Sequence, residues 1–417
     1  MKLSHGNFSS LHKNVKARVI ENFASKFISS MLLPFTAIYL VRYFGSELAS
    51  LLLVINVIFG LLVNLISGYI SDGYGRRRIV LYAEIIRFFA FILMSFFNSP
   101  WLIHASGTYF MMLIVSLCWG LSMPVNDAML IDSSTQEQRK YIYSILYWTG
   151  NLSAAFAGAM GGFLFQDYLF EIFMIMSSLS FINLCIIKFF IEESYFPDWQ
   201  QRTLNEHVIQ LIVSYKVALQ DRKFVIFLLA GAIILSSELQ LTNYIGIHLY
   251  QNMPQQDFSF WKVKGAETLG ILKSLNTILV VVFILMFKNV AAKLTERKNI
   301  QYGALLLVMS YSLMSFTLDI YLLIGFMVIA TLGEVFYGPS EQASLAELIP
   351  DSKRSIYLAC SGLRFNLSLL IVSATVFIST YLQPIYTSLV ILGLGFCGIL
   401  IYRIFYAINE TTVEDRL

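Results

Sequence analysis

Apolar residues run along this chain in blocks of about twenty, without the strict alternation of a barrel strand. The blocks fall at about 19–41, 48–71, 79–97, 107–131, 141–165 and 169–191, then at about 223–249, 267–290, 300–318, 320–346, 355–381 and 384–407. Each is long enough to cross a hydrocarbon layer of ~30 Å as a helix. Stretches 141–166 and 299–318 contain no Asp, Glu, Lys or Arg. The uncharged stretch 365–402 is too long for one span, and Tyr381-Leu382-Gln383-Pro384 splits it into a tight hairpin. Continuous runs argue against a transmembrane β-barrel. The pattern predicts an all-α integral membrane protein with twelve transmembrane helices in two six-helix bundles, residues 1–191 and 223–417. The polar stretch 192–222 forms a central loop, either an amphipathic surface helix around His207-Val208-Ile209-Gln210-Leu211-Ile212 or a plain linker.

Composition agrees. Hydrophobic residues make up 57% of 417 and charged residues 13%, about half the usual charged share. The apolar total matches the ~240 residues that twelve spans need. Basic residues then set orientation. With the N-terminus inside, inner segments hold Lys2, Lys13, Lys16 and Arg18, Arg76-Arg77-Arg78, Arg139-Lys140, Arg202, Lys216, Arg222 and Lys223, Lys293, Arg297 and Lys298, Lys353-Arg354, and Arg403 and Arg416. Outer loops hold only Arg42, Lys262 and Lys264. Both termini are therefore expected in the cytoplasm of a cell-membrane protein. The net charge of +3 gives no reason to expect a nucleic-acid partner, since the basic residues lie between spans. The first apolar run is expected to be a retained span, because no small-residue cleavage site follows it. The four cysteines are scattered through apolar runs, without ligand spacing, so neither a disulfide framework nor a metal site is expected.

An internal repeat links spans 4 and 10. Aligning Pro124 with Pro339 brings Ala128 onto Ala343, Asp132 onto Glu347 and Arg139 onto Arg354. The first spans of each three-span unit also carry the intramembrane acids: Glu21 with Lys26, Asp127 with Asp132, Glu238, and Glu334 with Glu341. A charge at bilayer depth is costly and usually faces an interior cavity. Glu334 and Glu238 stand near mid-span. Glu84 and Arg87, three apart, are expected to pair, and Arg364 needs a carboxylate. Gly393-x-Gly395-x-x-Gly398 lies inside a span with no strand before it, so it predicts a small-residue packing face rather than a dinucleotide site.

Between spans 2 and 3 stands Gly68-Tyr69-Ile70-Ser71-Asp72-Gly73-Tyr74-Gly75-Arg76-Arg77-Arg78. This resembles the loop G-x-L-A-D-R-x-G-R-K of the major facilitator superfamily, matching at Gly68, Asp72, Gly75 and Arg76 and departing at Ser71 and Gly73. The glycines permit close helix contact and a turn. Asp72 can face a helix terminus, and Arg76 and Arg77 can pair with carboxylates or lipid phosphates. Ala128-Met129-Leu130-Ile131-Asp132-Ser133-Ser134, Tyr147-Trp148, Asn151-Leu152-Ser153 and Thr331-Leu332-Gly333-Glu334-Val335-Phe336-Tyr337 are similar to segments of LmrP-type proton/multidrug antiporters. Leu146 and Thr242 replace acids of that group, and the span 5 antiporter motif keeps only Gly161-Gly162. The resemblance implies the pseudo-symmetric MFS fold and secondary active efflux with proton entry. It implies coupling or switching roles for Asp72, Asp132 and Glu334.

The resulting expectation is alternating-access, proton-coupled efflux of lipophilic or cationic small molecules by a monomer without cofactors. Glu334, Asp132, Glu238 and Asp127 are candidate proton-coupling acids. Gly68, Asp72, Gly75, Arg76 and Arg77 are candidate gate residues. Tyr147, Trp148, Tyr244 and Tyr337 join Glu334 and Glu238 as candidate cavity residues. No P-loop, catalytic triad or metal cluster appears, so an enzyme is not expected. The rivals are a dedicated transporter for a metabolite, siderophore or peptide-like nutrient, and a lipid flippase.

Overall fold

The computed structural model describes residues 12–193, 204–259, 261–350 and 354–414, apart from some side chains, among them those at 68, 69 and 71–73. Helices dominate, in the order α1 (Lys13–Tyr74), α2 (Arg76–Phe96), α3 (Ala105–Asp132), α4 (Gln136–Phe165), α5 (Leu169–Phe190), α6 (Leu204–Leu219), α7 (Arg222–Leu239), α8 (Tyr244–Asn252), α9 (Gly265–Ala291), α10 (Glu296–Met314), α11 (Ile320–Leu348), α12 (Arg354–Ser361), α13 (Leu363–Ile378) and α14 (Pro384–Glu414). Each of the twelve expected spans coincides with one of these helices, with half of α1, or with a broken pair. It is an all-α membrane fold.

Polar caps explain where several helices begin. Asp221 Oδ1 accepts from Lys223 N at 3.0 Å and Phe224 N at 3.2 Å, opening α7. Asp319 Oδ1 accepts from Tyr321 N and Leu322 N at 3.0 and 2.9 Å, opening α11. Thr135 and Gln138 form a reciprocal capping box on α4. Such bonds satisfy amide groups that no helical carbonyl can reach.

The pattern of apolar residues misses four features. Spans 1 and 2 are joined without a loop: α1 continues through Arg42, and only Gly45 leaves helical geometry, at φ 75°. A side chain there would be strained, so one glycine does the work expected of a loop. Span 7 is broken, with a 3-10 turn over Gln240–Thr242 between α7 and α8. Span 11 is divided at Gly362, between α12 and α13, where the backbone still keeps right-handed helical angles (φ −60°, ψ −25°). Two short antiparallel hairpins also appear, β1 (Asn98–Ser99) with β2 (Leu102–Ile103) and β3 (Gln256–Phe258) with β4 (Trp261–Val263). The central stretch contains the helix α6, which covers His207 to Ile212.

The chain divides into two compact units, one of Met1–Leu33 with Ile55–Ile209, the other of Pro34–Val54 with Gln210–Leu417. In the first, α2 packs between α3 and α5. Its core includes Ile79, Val80, Val125, Met129 and Ile187. In the second, α10 lies against α11 and α14. Gly395 and Gly398 of α14 press on Val308 and on Ile233 and Ile234, while Gly393 faces open space. Tyr39, Tyr311 and Tyr402 are among the largest fully buried side chains.

Candidate functional site

The acids of the second unit gather where α11 packs on α10, α9 and α7. Gly303 of α10 and Gly333 of α11 set the spacing. A Cβ on either would stand 2.7 Å from the other's carbonyl oxygen, so the two backbones touch. Such contact is the usual role of small residues between membrane helices. Glu334 follows Gly333 directly, and Asn276 Nδ2 of α9 donates to its Oε2 at 2.8 Å. The same nitrogen donates to Thr331 Oγ1 at 3.2 Å, and that hydroxyl in turn donates to Met327 O. The amide therefore locks the Glu334 carboxylate to α9.

Other charges stand near. Those of Glu238 on α7 and Lys273 on α9 both reach Glu334. Tyr311 of α10, 1% exposed, lies within electrostatic reach of both acids. Lys273 precedes Asn276 by three residues, so helical geometry puts the two on one face. Two carboxylates held close in an apolar setting resist being charged together. A proton or a cation relieves that conflict, which is the chemistry this cluster offers. Nearby, Arg364 pairs with Glu341, and Tyr337 Oη shares a hydrogen bond with Tyr402 Oη at 3.0 Å.

The first unit holds a different polar cluster. Arg87 pairs with Glu84, at 2% and 0% exposure. Ser180 Oγ donates to Glu84 Oε1 at 2.6 Å. Asn183 Nδ2 donates to Ser25 Oγ at 3.1 Å, and that hydroxyl donates to Glu21 Oε1 at 2.9 Å. Arg18 stands 3.7 Å from Glu21 and donates to Asn126 Oδ1 at 2.5 Å. Opposite charges are matched here, so the cluster joins α1, α2, α3 and α5 without a net charge.

At the N-terminus of α2, Gly75 takes φ 91°, and Glu193 accepts from Arg77 N at 3.0 and 3.2 Å. A carboxylate suits the positive end of a helix. Arg76 Nη1 pairs with Asp132, the last residue of α3, and Arg77 Nη2 donates to Lys188 O at 2.6 Å. Glu192 N donates to Asn14 Oδ1 at 2.9 Å, and Glu192 pairs with Lys13. That partner holds the Glu192 carboxyl below its usual range. The side chains of Gly68 and Asp72 lie outside the described residues. Asp132→Asn is expected to loosen the last turn of α3, since a charge-assisted contact of about 1.5 kcal/mol is lost. Hydrogen exchange over 128–134 should then rise about tenfold. Unchanged exchange would show that Arg76 does not hold this turn.

The remaining candidates are spread out. Asp127 is exposed on α3, with the charge of Lys26 in reach. Tyr147 and Trp148 are exposed on α4. Tyr244 is buried on α8, stacked on His248 with ring centres 5.9 Å apart. It borders a cavity of about 300 Å³ with Ser46, Gln251 and Thr380. Sequence reasoning passed over Asn276, Lys273 and Glu193. Lys273 and Asn276 did leave a signal, as two polar residues three apart in an apolar run.

Comparison with known proteins gives a family, two relatives and two solved structures. The model of the Major Facilitator Superfamily matches residues 22–360. The chain is 27% identical over 372 residues to a "Na(+), Li(+), K(+)/H(+) antiporter" of Planococcus maritimus, covering 86% of this chain and 88% of that one. It is 22% identical over 309 residues to the "Multidrug resistance protein MdtH" of Blochmanniella floridana, covering 73% and 71%. Among solved structures, a peptide transporter POT in complex with sulfate superposes with TM-score 0.77 at 16% identity, covering 97% of this chain and 96% of that one. A nucleoside transporter NupG mutant gives 0.74 at 12% identity, covering 95% and 98%. At such identities these structures speak for the fold.

Proposed function

This chain belongs to the Major Facilitator Superfamily and is a multi-pass membrane transporter, not an enzyme, and we propose that it is a proton-coupled antiporter exporting cations by alternating access. One observation carries the reading: Glu334, locked to Asn276 and in reach of both Glu238 and Lys273, is an acid inside an apolar helix bundle. A proton and a cationic cargo compete for such a carboxylate. Competition couples their movements without requiring both to be bound together. The antiporter name of one relative supports proton coupling, and the multidrug name of the other supports a drug-like cargo. For an uncharged cargo, one proton moving down about 150 mV supplies roughly 3.5 kcal/mol, enough for a few-hundred-fold gradient; a monovalent cation exchanged one for one moves no net charge and draws on the pH difference alone, about 1.4 kcal/mol or tenfold per pH unit.

The cargo proposed is a lipophilic organic cation. Alkali cations are the second reading, favoured by the relative whose printed name gives sodium, lithium and potassium. Both termini are placed in the cytoplasm of the cell membrane, on the basic-loop asymmetry. The test uses inverted membrane vesicles with an imposed pH gradient. Ethidium and a dye panel probe the first cargo class, and sodium and potassium salts the second. Proton release on addition of a cation is the expected result. A flat pH signal for every cation would overturn the antiport reading.

A further inference from the structure

With both acids ionised, the net charge of the Glu334 cluster follows from its residues. Glu238 on α7 and Glu334 on α11 supply two carboxylates, and Lys273 on α9 supplies one ammonium. The other polar groups facing them, Asn276 of α9, Thr331 of α11 and Tyr311 of α10, are uncharged. The neighbouring Arg364 and Glu341 neutralise each other. Lys273 forms no ion pair within 4.0 Å among the described residues. Its charge nevertheless reaches Glu334, and it shares a helix face with Asn276, whose amide touches that carboxylate. Its ammonium is thus near the acids without being locked to either, which leaves their oxygens open to a second positive charge.

We infer that Lys273 is a tethered counter-charge that holds the Glu238–Glu334 cluster at a net charge of −1, and so limits the site to one monovalent cation or one proton per passage. The inference rests on the antiport reading and names the specificity-determining residue within it. With two ionised acids and a charged Lys273, a single added positive charge brings the cluster to neutrality. A neutral cluster is the one that crosses an apolar environment at least cost. A divalent cation would leave an excess of +1. Removing the lysine charge changes the count to −2, and the same carboxylate oxygens then suit a divalent ion that prefers oxygen ligands.

Two measurements on the full-length protein test this. In proteoliposomes, protons moved per ethidium are counted with an internal pH dye. In detergent, Mn²⁺ binding is titrated by electron paramagnetic resonance. Wild type is expected to move one proton per ethidium and to bind no Mn²⁺ at this site. Lys273→Gln and Lys273→Met should each still exchange one proton per ethidium, because a second proton fills the extra negative charge in both loaded states, but should bind one Mn²⁺ per chain, and that binding should vanish when Glu334→Gln is added. Lys273→Arg, which keeps the charge, should behave as wild type. If the neutral variants bind no Mn²⁺, or if Lys273→Arg binds it as they do, the inference is overturned. If wild type exchanges neither ethidium nor sodium for protons, the antiport reading falls. The Mn²⁺ titration then still decides whether Lys273 sets the charge, since a site gained only in the neutral variants supports it and equal binding in all forms refutes it.

Discussion

Glu334→Gln is expected to abolish pH-driven transport while leaving the protein folded. The geometry explains why the two effects separate. A glutamine carbonyl can accept from Asn276 Nδ2 as the carboxylate does at 2.8 Å, so the α9–α11 link survives. What disappears is the negative charge and the capacity to take up a proton. The variant behaves as a permanently protonated site, and the cation gradient that a pH difference sustains, about tenfold per pH unit in one-for-one exchange, should fall to none. Binding of neutral ligands should persist. Glu238→Gln should do less, because Glu238 lacks the amide anchor that fixes Glu334. Purified variants in proteoliposomes, assayed for dye accumulation from pH 6 to 8, give the answer. Wild-type pH dependence in Glu334→Gln would make Glu334 a structural residue and leave Glu238 or Asp127 as the proton carrier.

Much of this fold was legible because a membrane leaves a chain few options. Backbone groups in hydrocarbon must bond within their own segment, so a long apolar run has to be a helix, and twelve such runs were visible. What escaped were local breaks whose cause is a single residue. Gly45 replaces a loop by adopting one left-handed conformation, and hydropathy does not register backbone angles. The 3-10 turn over Gln240–Thr242 follows Glu238 in a run that is apolar enough for a straight helix. The site was legible in part for a related reason. A carboxylate in an apolar run stands out by its cost, which marked Glu334 and Glu238, as it marked Glu84. Which partner each acid takes depends on helix rotation and on close approaches such as that of Gly303 to Gly333. Neither can be read from a run of letters. Asn276 carries no charge, so it raised no alarm, yet its amide is what holds Glu334.

Arg87→Met should be the most damaging substitution in the first unit. Arg87 and Glu84 are 2% and 0% exposed and paired, and Ser180 adds a hydrogen bond to the same carboxylate. Deleting the guanidinium strands a buried negative charge, which costs about 3–5 kcal/mol when one member of such a pair is lost. The melting temperature of the purified protein is expected to fall by roughly 5 °C. The double variant Glu84→Leu/Arg87→Met should recover most of that loss, because a buried ion pair replaced by apolar groups of similar volume is often neutral for stability. Two further contacts bear on the outcome. The Arg87 charge also reaches Glu21, which is tied through Ser25 to Asn183. If the pair acts alone, the double variant returns to wild-type stability. If Arg87 neutralises Glu21 as well, the double variant stays destabilised, and adding Glu21→Gln should restore it. A single variant as stable as wild type would mean that Glu84 finds another proton or cation, and the cluster would then have to be counted among the titrating groups of the transport cycle.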